Sequence, residues 1–454
     1  MNGGYRTIVK NFRSSFSHIL DSEKLDQIAS KTKFLIRRRK LTPGLFLDLS
    51  FYSIDSEVKS LRRVSNAAWE DHSVIVSKQA ISRRFSVSCI SFIKELIGES
   101  LASQVTTTLD PTDLQLFTRV RIKDSTTFGV QDSLSDMFEG YGKGGGPSSK
   151  AGISIQYEFD LKTNNILDIE LQSAVARDCT DAVAKKDDIQ KGDLIIRDLG
   201  YYSGKVLEQI IVNEAYVISR LYQNVTVYNQ NKERIDFQRI YHQMVENQIK
   251  YQDIDVFIGN EKQSVRLIIE LLPESIYQKR IIQRNKENKS RGYNTSHEFK
   301  GRAHFNLFIS NIPRPSCSWD TISKLYRIRW QIELVFKIWK SILNIDKLKK
   351  SSNERFLAML YTKLLWICIN WKIISDCRNY FYSNYHKLIS LTKCFQTMGE
   401  NSRKLRRALV DINFIDDFLL EIICKLQIGH WMEKRKNRQN FEEIIGLIFC
   451  KSNI

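Results

Sequence analysis

The sequence lacks the cysteine and histidine motifs of zinc sites and of disulfide-rich domains. Its eight cysteines are scattered without any Cys-x2-Cys pair, at positions 89, 179, 317, 368, 377, 394, 424 and 450. The seven histidines are dispersed as well, and no His-Glu-x2-His motif occurs. These absences argue against a zinc site or a disulfide framework, and they indicate the reduced, mostly buried thiols of an intracellular protein.

The sequence also lacks a membrane span and a nucleotide-binding loop. The first residues contain no apolar signal core, and the apolar run at 366–374 is short and interrupted by Lys372. We therefore expect no transmembrane segment. A glycine-rich loop occurs at Gly142–Gly146, with Lys143 and Lys150. Because no Gly-Lys-Ser/Thr opens a helix after it, we do not expect a P-loop.

Negative charge is scarce in this chain. Its 454 residues include 51 Asp and Glu against 69 Lys and Arg, which gives a net charge of +18 and a pI of about 9.4. Such a balance favours a polyanionic partner, without distinguishing DNA from RNA or from an acidic membrane. The hydrophobic fraction of 42% is ordinary for a soluble globular protein, and the length predicts roughly two to four domains.

The stretch 326–340 contains neither glycine nor proline and predicts a helix. At 100° per residue, one polar stripe on this otherwise apolar helix is formed by Tyr326, Arg329, Glu333, Lys337 and Lys340. A helix that is apolar on most sides is usually buried, and its charges then need partners. An anionic ligand with a divalent metal ion would supply them. The alternative is an internal ladder of i,i+4 ion pairs, from Arg329 to Glu333 and from Glu333 to Lys337.

The spacing Tyr-x2-Arg-x3-Glu-x6-Lys, formed by Tyr326, Arg329, Glu333 and Lys340, resembles the signature of one branch of DDE-type insertion-sequence transposases. That branch carries a β-strand insertion domain in its catalytic core. The resemblance implies a bacterial, cytoplasmic, nucleoid-associated DNA transposase. Such an enzyme binds the inverted-repeat ends of a mobile element as a homodimer, cleaves them by metal-dependent chemistry and joins them to target DNA in a cut-and-paste reaction.

The resemblance also implies residue roles. Asp124, Asp198 and Glu333 match the three catalytic metal ligands, which would hold two Mg²⁺ ions, with Mn²⁺ able to substitute. Tyr326 and Arg329 would hold phosphates of the element end, and Lys340 would grip the strand near the cut, with Lys337 on the same stripe. Two alternatives stay open, namely a nuclease of the same fold that cuts without joining and an inactive end-binding repressor.

The order of predicted elements before the signature is typical of an RNase H-like core. A strand at 117–123 runs into Asp124, and a strand at 194–197 ends at Asp198. Between and after them we predict strands at 152–160 and 166–171, a helix at 178–190, a helix at 205–213 and a strand at 215–221. In that fold the first and fourth strands are neighbours. Asp124 and Asp198 would therefore meet at adjacent strand ends, and a later helix would bring Glu333 beside them.

Three converging carboxylates suit hard divalent ions, which prefer oxygen ligands. Each acid alone also has an ordinary structural explanation. Asp124 and Asp198 could be turn or cap residues, and Glu333 could pair with a neighbouring cation. Asp160, Asp168 and Asp193 also flank strands and are weaker candidates.

The segment between Asp198 and Glu333 is too long for one loop and predicts a β-rich insertion. Residues 225–240, 256–272 and 305–309 alternate like strands, and the basic, Asn-rich segment 278–293 predicts an exposed loop. Residues 204–305 contain no Trp, so a Tyr or Phe, or no residue, would have to splay a base at a hairpin end. The use of a hairpin intermediate therefore stays open.

The N-terminal region is helical and basic. Its stretch Ser77–Phe85 resembles a helix-turn-helix entry, with Gln79, Ser82 and Arg83 on an exposed face and with Arg83 or Arg84 available to bases or phosphates. The alternative is a basic amphipathic helix that covers a core.

We predict an α/β protein with an RNase H-like catalytic core, interrupted by a β-rich insertion and flanked by helical N- and C-terminal regions. The predicted segments are a DNA-binding domain at 1–105, the core at 106–221 and 303–375, the insertion at 222–302 and a C-terminal region at 376–454. Within them, Phe356–Trp371 predicts a core helix, and basic patches occur at 403–407 and 434–438.

Overall fold

The structure, a computed structural model, describes residues 3–54, 60–104, 116–142, 150–260, 262–289 and 292–433. The basic patch at 434–438, Cys450 and most of the glycine-rich loop lie outside these residues. The chain divides into two compact units. A helical unit comprises Met1–Thr112, Ser125–Val175 and Gln331–Glu442, and a sheet unit comprises Asp113–Asp124, Ala176–Trp330 and Glu443–Ile454.

The described residues form nine β-strands, of which the first belongs partly to each unit. They are β1 (Arg119–Gly129), β2 (Gly152–Asp160), β3 (Ile166–Ser173), β4 (Asp193–Arg197), β5 (Tyr216–Arg220), β6 (Val227–Tyr228), β7 (Tyr251–Ile258), β8 (Gln263–Leu271) and β9 (Phe305–Ser310).

Eighteen α-helices accompany the strands in the described part of the chain. The N-terminal ones are α1 (Gly3–Ser15), α2 (Ser17–Leu20), α3 (Ser22–Lys31), α4 (Pro43–Ile54), α5 (Leu61–His72), α6 (Lys78–Ser82) and α7 (Val87–Ala102). The central ones are α8 (Asp178–Ala184), α9 (Gly204–Val212), α10 (Phe237–Glu246), α11 (Glu274–Lys289), α12 (His297–Ala303) and α13 (Trp319–Tyr326). The last are α14 (Trp330–Ser341), α15 (Asn353–Tyr385), α16 (Leu391–Glu400), α17 (Ser402–Val410) and α18 (Ile415–Gly429).

In the sheet unit the strands follow the order β1-β4-β5-β9-β8-β7-β6. β1 pairs with β4 and β4 with β5 in parallel, whereas β5, β9, β8, β7 and β6 pair antiparallel. The prediction that the first and fourth strands are neighbours is thus confirmed. One apolar core, with Ile195, Leu207 and Leu267 among its members, packs α9 and α10 against this sheet.

In the helical unit β2 pairs antiparallel with β3 and lies next to β1. The 33-residue helix α15 forms the centre of this unit. The ring centroids of Phe51 on α4 and Trp366 on α15 are 4.8 Å apart. α15 is long and apolar enough to cross a membrane by length and composition, but 94% of its most apolar window is buried inside the protein. The prediction of a core helix at Phe356–Trp371 is confirmed.

The seven described cysteines are free thiols, and five of them are buried. This agrees with the prediction of reduced, mostly buried thiols.

Two predictions for the insertion are wrong. The predicted strand 225–240 is a two-residue strand followed by α10, because Asp236 caps that helix by accepting hydrogen bonds from the backbone N–H groups of Gln238 and Arg239. The predicted loop 278–293 is largely α11, whose long, straight side chains are good helix formers despite their charge. Segment 222–302 is therefore a mixture of helices and strands.

The single helix predicted across Tyr326–Lys340 is also wrong. α13 ends at Tyr326, a 3₁₀ turn covers Arg327–Arg329, and α14 begins at Trp330. A 3₁₀ turn has 3.0 residues per turn rather than 3.6, so the stripe is rotated between Tyr326 and Glu333.

Candidate active site

Asp124 and Asp198 lie next to each other because of the pairing between β1 and β4. The two strands run parallel, and their last register pair is Lys123 with Arg197. Each aspartate is the next residue along its chain. Asp198 directly follows β4, whereas β1 continues through Asp124 to Gly129. The prediction that both acids lie at strand ends is therefore correct for Asp198 and wrong for Asp124.

The guanidinium group of Arg329 lies between these two carboxylates. Its Nη1 is 3.0 Å from Asp124 Oδ2, and its Nε is 3.9 Å from Asp198 Oδ1. The side chains of Arg329 and Asp124 are only 13% and 17% exposed, whereas that of Asp198 is 47% exposed. Because partial burial reduces screening by water, the contact with Asp124 is the stronger of the two.

Tyr326 forms the wall of the same site. It is buried against Phe308, with ring centroids 5.3 Å apart, and the guanidinium of Arg220 lies 5.7 Å from its ring centroid. Burial raises the pKa of the Tyr326 phenol, while the charges of Arg329 and Arg220 oppose that rise. The phenol therefore remains neutral and available as a hydrogen-bond donor at neutral pH.

Asp198, Tyr326 and Arg329 line an open cleft of about 290 Å³ within the sheet unit. Its charged lining consists of Asp198, Glu270, Arg220, Arg327 and Arg329. A cleft that contains three arginines and Asp198, and in which Arg329 also contacts Asp124, can hold an anion close to a cation site. Planar guanidinium groups suit the oxygen atoms of a phosphate.

Sequence reasoning missed Arg220 and Arg327 as members of this cleft. Arg220 is the last residue of β5 and Arg327 lies in the 3₁₀ turn. No spacing in the sequence marks Arg220, since only the strand order brings it beside Tyr326. Arg327 stands inside the signature stretch and could have been found there.

Two buried ion pairs fix the strands that carry the aspartates. Lys123 Nζ lies 2.5 Å from Asp181 Oδ2, and both side chains are almost completely buried. Asp193, at the start of β4, accepts hydrogen bonds at 2.7 Å and 2.6 Å from Arg119 on β1. Asp193, a weaker candidate from the sequence, therefore has a structural role.

Asp160, another weaker candidate, has a local structural role in the helical unit. Its carboxylate accepts hydrogen bonds from the backbone N–H of Lys162 and from the hydroxyl of Thr163. These bonds form the turn that connects β2 to β3. The remaining weaker candidate, Asp168, is a partly buried residue of β3.

Glu333, Lys337 and Lys340 belong to the helical unit. Glu333 is partly buried in the first turn of α14, and Lys337 is exposed. Lys340 Nζ donates to the carbonyl oxygen of Thr127 at 3.3 Å. On the apolar face of α14, Trp339 packs against Tyr157, with their ring centroids 4.8 Å apart. The predicted meeting of Glu333 with the two aspartates stays a prediction.

The predicted DNA-contacting residues of the N-terminal region lie on and after the short helix α6. Gln79, Ser82 and Arg83 are exposed, as expected from the pattern. Arg84 instead packs inside the protein. Its Nη1 donates to the Phe34 carbonyl oxygen at 3.1 Å, its guanidinium lies 4.1 Å from the Phe34 ring centroid, and burial lowers its pKa.

The donors at the Asp124–Asp198 pair fit a divalent metal ion. Two adjacent carboxylates repel each other unless a positive charge lies between them, and here the Arg329 guanidinium is that charge. Carboxylate oxygens are also the ligands that Mg²⁺ prefers. The arginine thus marks a cation-accepting position between the two acids.

The fold and this pair of acids define a mixed α/β protein with a carboxylate site suited to phosphoryl transfer. The profile of the family described as Transposase DDE domain matches residues 115–370, which is more than half of the chain. The chain therefore belongs to the transposase DDE domain family, whose members use divalent metal ions. The resemblance inferred from the signature residues is confirmed.

Insertion-sequence transposases match between 78% and 99% of this chain. The transposase for insertion sequence element IS231F of Bacillus thuringiensis subsp. israelensis is 27% identical over 471 residues, which is 99% of this chain and 98% of the relative. The transposase for IS1151 of Clostridium perfringens is 26% identical over 466 residues, covering 98% and 96%. The putative transposase InsL for IS186A of Escherichia coli K12 is 24% identical over 367 residues, covering 78% and 91%.

Proposed function

We propose that this DDE transposase binds the ends of an insertion sequence, cleaves them by metal-dependent phosphodiester chemistry and joins them to target DNA. The observation that carries the proposal is the pair Asp124 and Asp198 on neighbouring parallel strands, with Arg329 between them. Membership of the DDE family and near full-length similarity to insertion-sequence transposases support it.

We assign Asp124, Asp198 and Glu333 as ligands of two Mg²⁺ ions, with Mn²⁺ as a substitute. Support for Glu333 comes from its place in the Tyr-x2-Arg-x3-Glu-x6-Lys signature. Such ions, when bound, activate the attacking oxygen and stabilise the leaving oxygen of an in-line displacement. The RNase H-like core is supported by the parallel β1-β4-β5 order.

Arg329 changes partners in this scheme. In the structure its guanidinium neutralises the two aspartates, and a cation held by the same oxygens would take over that role. Arg329 then turns to a phosphate of the element end, beside the neutral hydroxyl of Tyr326. Its planar donors suit a phosphate as well as a carboxylate. Lys340 and Lys337 on α14 are assigned to the strand near the cut.

The basic character of the chain supports DNA as its partner. Gln79 and Arg83 on the exposed side of α6 are proposed to contact the element end. Arg84 is left out of that contact, because its guanidinium binds the carbonyl oxygen and the ring of Phe34. A homodimer on DNA, and a cytoplasmic location at the nucleoid, are part of the same proposal.

The deciding experiment mixes the purified protein with Mg²⁺, a labelled DNA carrying the terminal inverted repeat, and a circular target. The proposal expects both cleaved ends and ends joined covalently to the target. Cleaved ends that are never joined would indicate a nuclease of the same fold. Specific binding to the end without cleavage, in Mg²⁺ and in Mn²⁺, would indicate a repressor and contradict the proposal.

A further inference from the structure

A second charged cleft lies wholly within the helical unit. None of the signature residues Tyr326, Arg329, Glu333 and Lys340 lines it. It is open, has a volume of about 300 Å³, and is bounded by the end of α4, the start of α5, α6, the loop before α15 and α15 itself. Of its fourteen lining residues in the described part of the chain, none is acidic and six are basic. The six are Arg62, Lys78, Lys349, Lys350, Arg355 and Lys363.

The six cations form an exposed rim and a buried floor. Arg62, Lys78, Lys349 and Lys350 are exposed. Arg355 is partly buried, with its guanidinium 5.5 Å from the Phe85 ring centroid, and Lys363 is almost fully buried. Burial lowers the pKa of Lys363 to about 8. Gathering like charges around a partly dehydrated floor costs free energy, which an anion in the cleft recovers.

The loop that carries Lys349 and Lys350 is held in place at both ends. At its start Lys363 Nζ donates to the Leu343 carbonyl oxygen at 3.2 Å. At its end the Gln131 amide binds both backbone groups of Ser351, donating to its carbonyl oxygen at 2.9 Å and accepting from its N–H at 3.0 Å. The two lysines are therefore presented by a fixed backbone, which reduces the entropy lost on binding.

We propose that this basic cleft anchors phosphates of the element-end duplex, away from the phosphate that is cut. The inference rests on the proposed transposase function and adds a DNA-holding surface to it. Lys78 is the first residue of α6, so the cleft adjoins the exposed residues Gln79 and Arg83. Six cations from several separate segments exceed what one small phosphate requires, and they suit a backbone that carries repeated charges.

The length of the connecting chain limits the distance between this anchor and the signature helix. Lys349 lies eight positions after Ser341, the last residue of α14. An extended chain of that length spans at most about 28 Å. One turn of B-DNA is about 34 Å long. A duplex that contacts α14 therefore reaches the cleft within about one helical turn.

The test compares two double variants of the full-length protein. Lys349→Gln with Lys350→Gln removes two rim charges, and Arg6→Gln with Lys10→Gln removes two exposed charges from α1 as a matched control. Binding to a 40-bp terminal-repeat duplex and to a 40-bp random duplex is measured by fluorescence anisotropy between 0.05 and 0.4 M NaCl. Circular dichroism checks folding. If the rim variant does not fold, Arg62→Gln with Lys78→Gln replaces it.

A phosphate anchor predicts a specific pattern. Each lost phosphate contact reduces the slope of log affinity against log salt by about 0.9, so the rim variant should lose about 1.8. If the binding curves converge at 1 M salt, affinity at 0.1 M should fall about 60-fold, equally for both duplexes. The control should keep its slope within about 0.3 of the wild type. Cleavage of the end should fall with binding.

Three outcomes would overturn the inference. A rim variant with the slope of the control would show that the cleft does not hold DNA. A loss confined to the terminal-repeat duplex would indicate base recognition instead of a phosphate anchor. Normal end cleavage with reduced joining would assign the cleft to target DNA. The proposed function survives all three, and it fails only if the wild-type protein neither binds nor cleaves the terminal repeat.

Discussion

Arg329 Nη1 lies 3.0 Å from Asp124 Oδ2, so the signature arginine is bound to a proposed metal ligand. Its other edge faces Asp198 at 3.9 Å. Neither the ladder of i,i+4 pairs nor a stripe aimed only at DNA predicts this contact. In the free protein Arg329 therefore acts as an internal counter-ion. It competes with metal cations for the carboxylates of Asp124 and Asp198.

The first prediction concerns this competition. Arg329→Ala leaves two adjacent carboxylates without their shared cation, and we expect it to lower the free energy of unfolding by about 1–3 kcal/mol in EDTA. Mg²⁺ should restore much of that loss, because it binds the same oxygens, and the variant should bind Mg²⁺ more tightly than the wild type. Urea unfolding and calorimetric titration measure both effects without any DNA.

The double variant with Asp124→Asn is the control for the first prediction. Removing one carboxylate relieves the repulsion, so the double variant should be more stable in EDTA than Arg329→Ala alone. If instead Glu333→Gln rescues Arg329→Ala and Asp124→Asn does not, the ladder within the signature is the correct explanation. If Mg²⁺ binds Arg329→Ala no more tightly than the wild type, the competition does not exist.

The second prediction concerns the three proposed ligands. Asp124→Asn, Asp198→Asn and Glu333→Gln keep the shape of each side chain but remove its charge. Each should reduce cleavage of the terminal repeat below detection and leave end binding within about threefold, because metal ligation is lost and the phosphate contacts stay. Asp160→Asn, at the turn after β2, is a matched control that should cleave normally if it folds. A ligand variant that cuts at the wild-type rate in Mg²⁺ would remove that residue from the site.

The sequence was informative where local pattern decides structure. Local strand patterns predict β2, β3, β4 and β5, and the resemblance to an RNase H-like core predicts that β1 and β4 are neighbours. The sequence was misleading where a highly charged segment forms a regular helix. α11 is strongly basic and Asn-rich, so it resembles a loop, although none of its residues is glycine or proline. Arg329 could not be paired from sequence, since Asp124 is 205 residues away and only the strand order brings it near.

The third prediction is that protonation of His18 destabilises the folded protein at acid pH. The Ser100 hydroxyl donates to the Leu96 carbonyl oxygen, so it accepts from His18 Nε2–H at 3.0 Å. His18 Nδ1 is buried and has no hydrogen-bond partner among the residues that the structure describes. A proton added there is desolvated and unpaired, and burial lowers the pKa of His18 from 6.5 to about 4.

The sign of this effect follows from the lowered pKa. Between pH 6.5 and 4 the unfolded chain binds more protons at His18 than the folded protein, so the free energy of unfolding falls as the pH falls through this window. The loss amounts to about 3 kcal/mol when complete. His18→Gln should be slightly less stable than the wild type at pH 7.5 and more stable at pH 4. The exposed variant His297→Gln is the control. Parallel melting profiles for His18→Gln and the wild type would contradict the argument.

The fourth prediction concerns the buried pair of Lys123 and Asp181 behind the active site. Both side chains are almost fully buried, so removing one of them takes away the 2.5 Å contact of the other, and Lys185, 3.8 Å from Asp181 Oδ1, replaces Lys123 only in part. Lys123→Met or Asp181→Leu alone should cost about 3–5 kcal/mol in urea unfolding. The double variant should recover most of that loss, because two apolar side chains pack where two charges were.

If the single variants lose under about 1 kcal/mol, or if their losses simply add, water reaches the pair and the pair does not fix β1 beside α8. Because Asp124 directly follows Lys123, a recovered double variant should also regain end cleavage, and a stable but inactive one would show that the lysine's charge itself serves the neighbouring site.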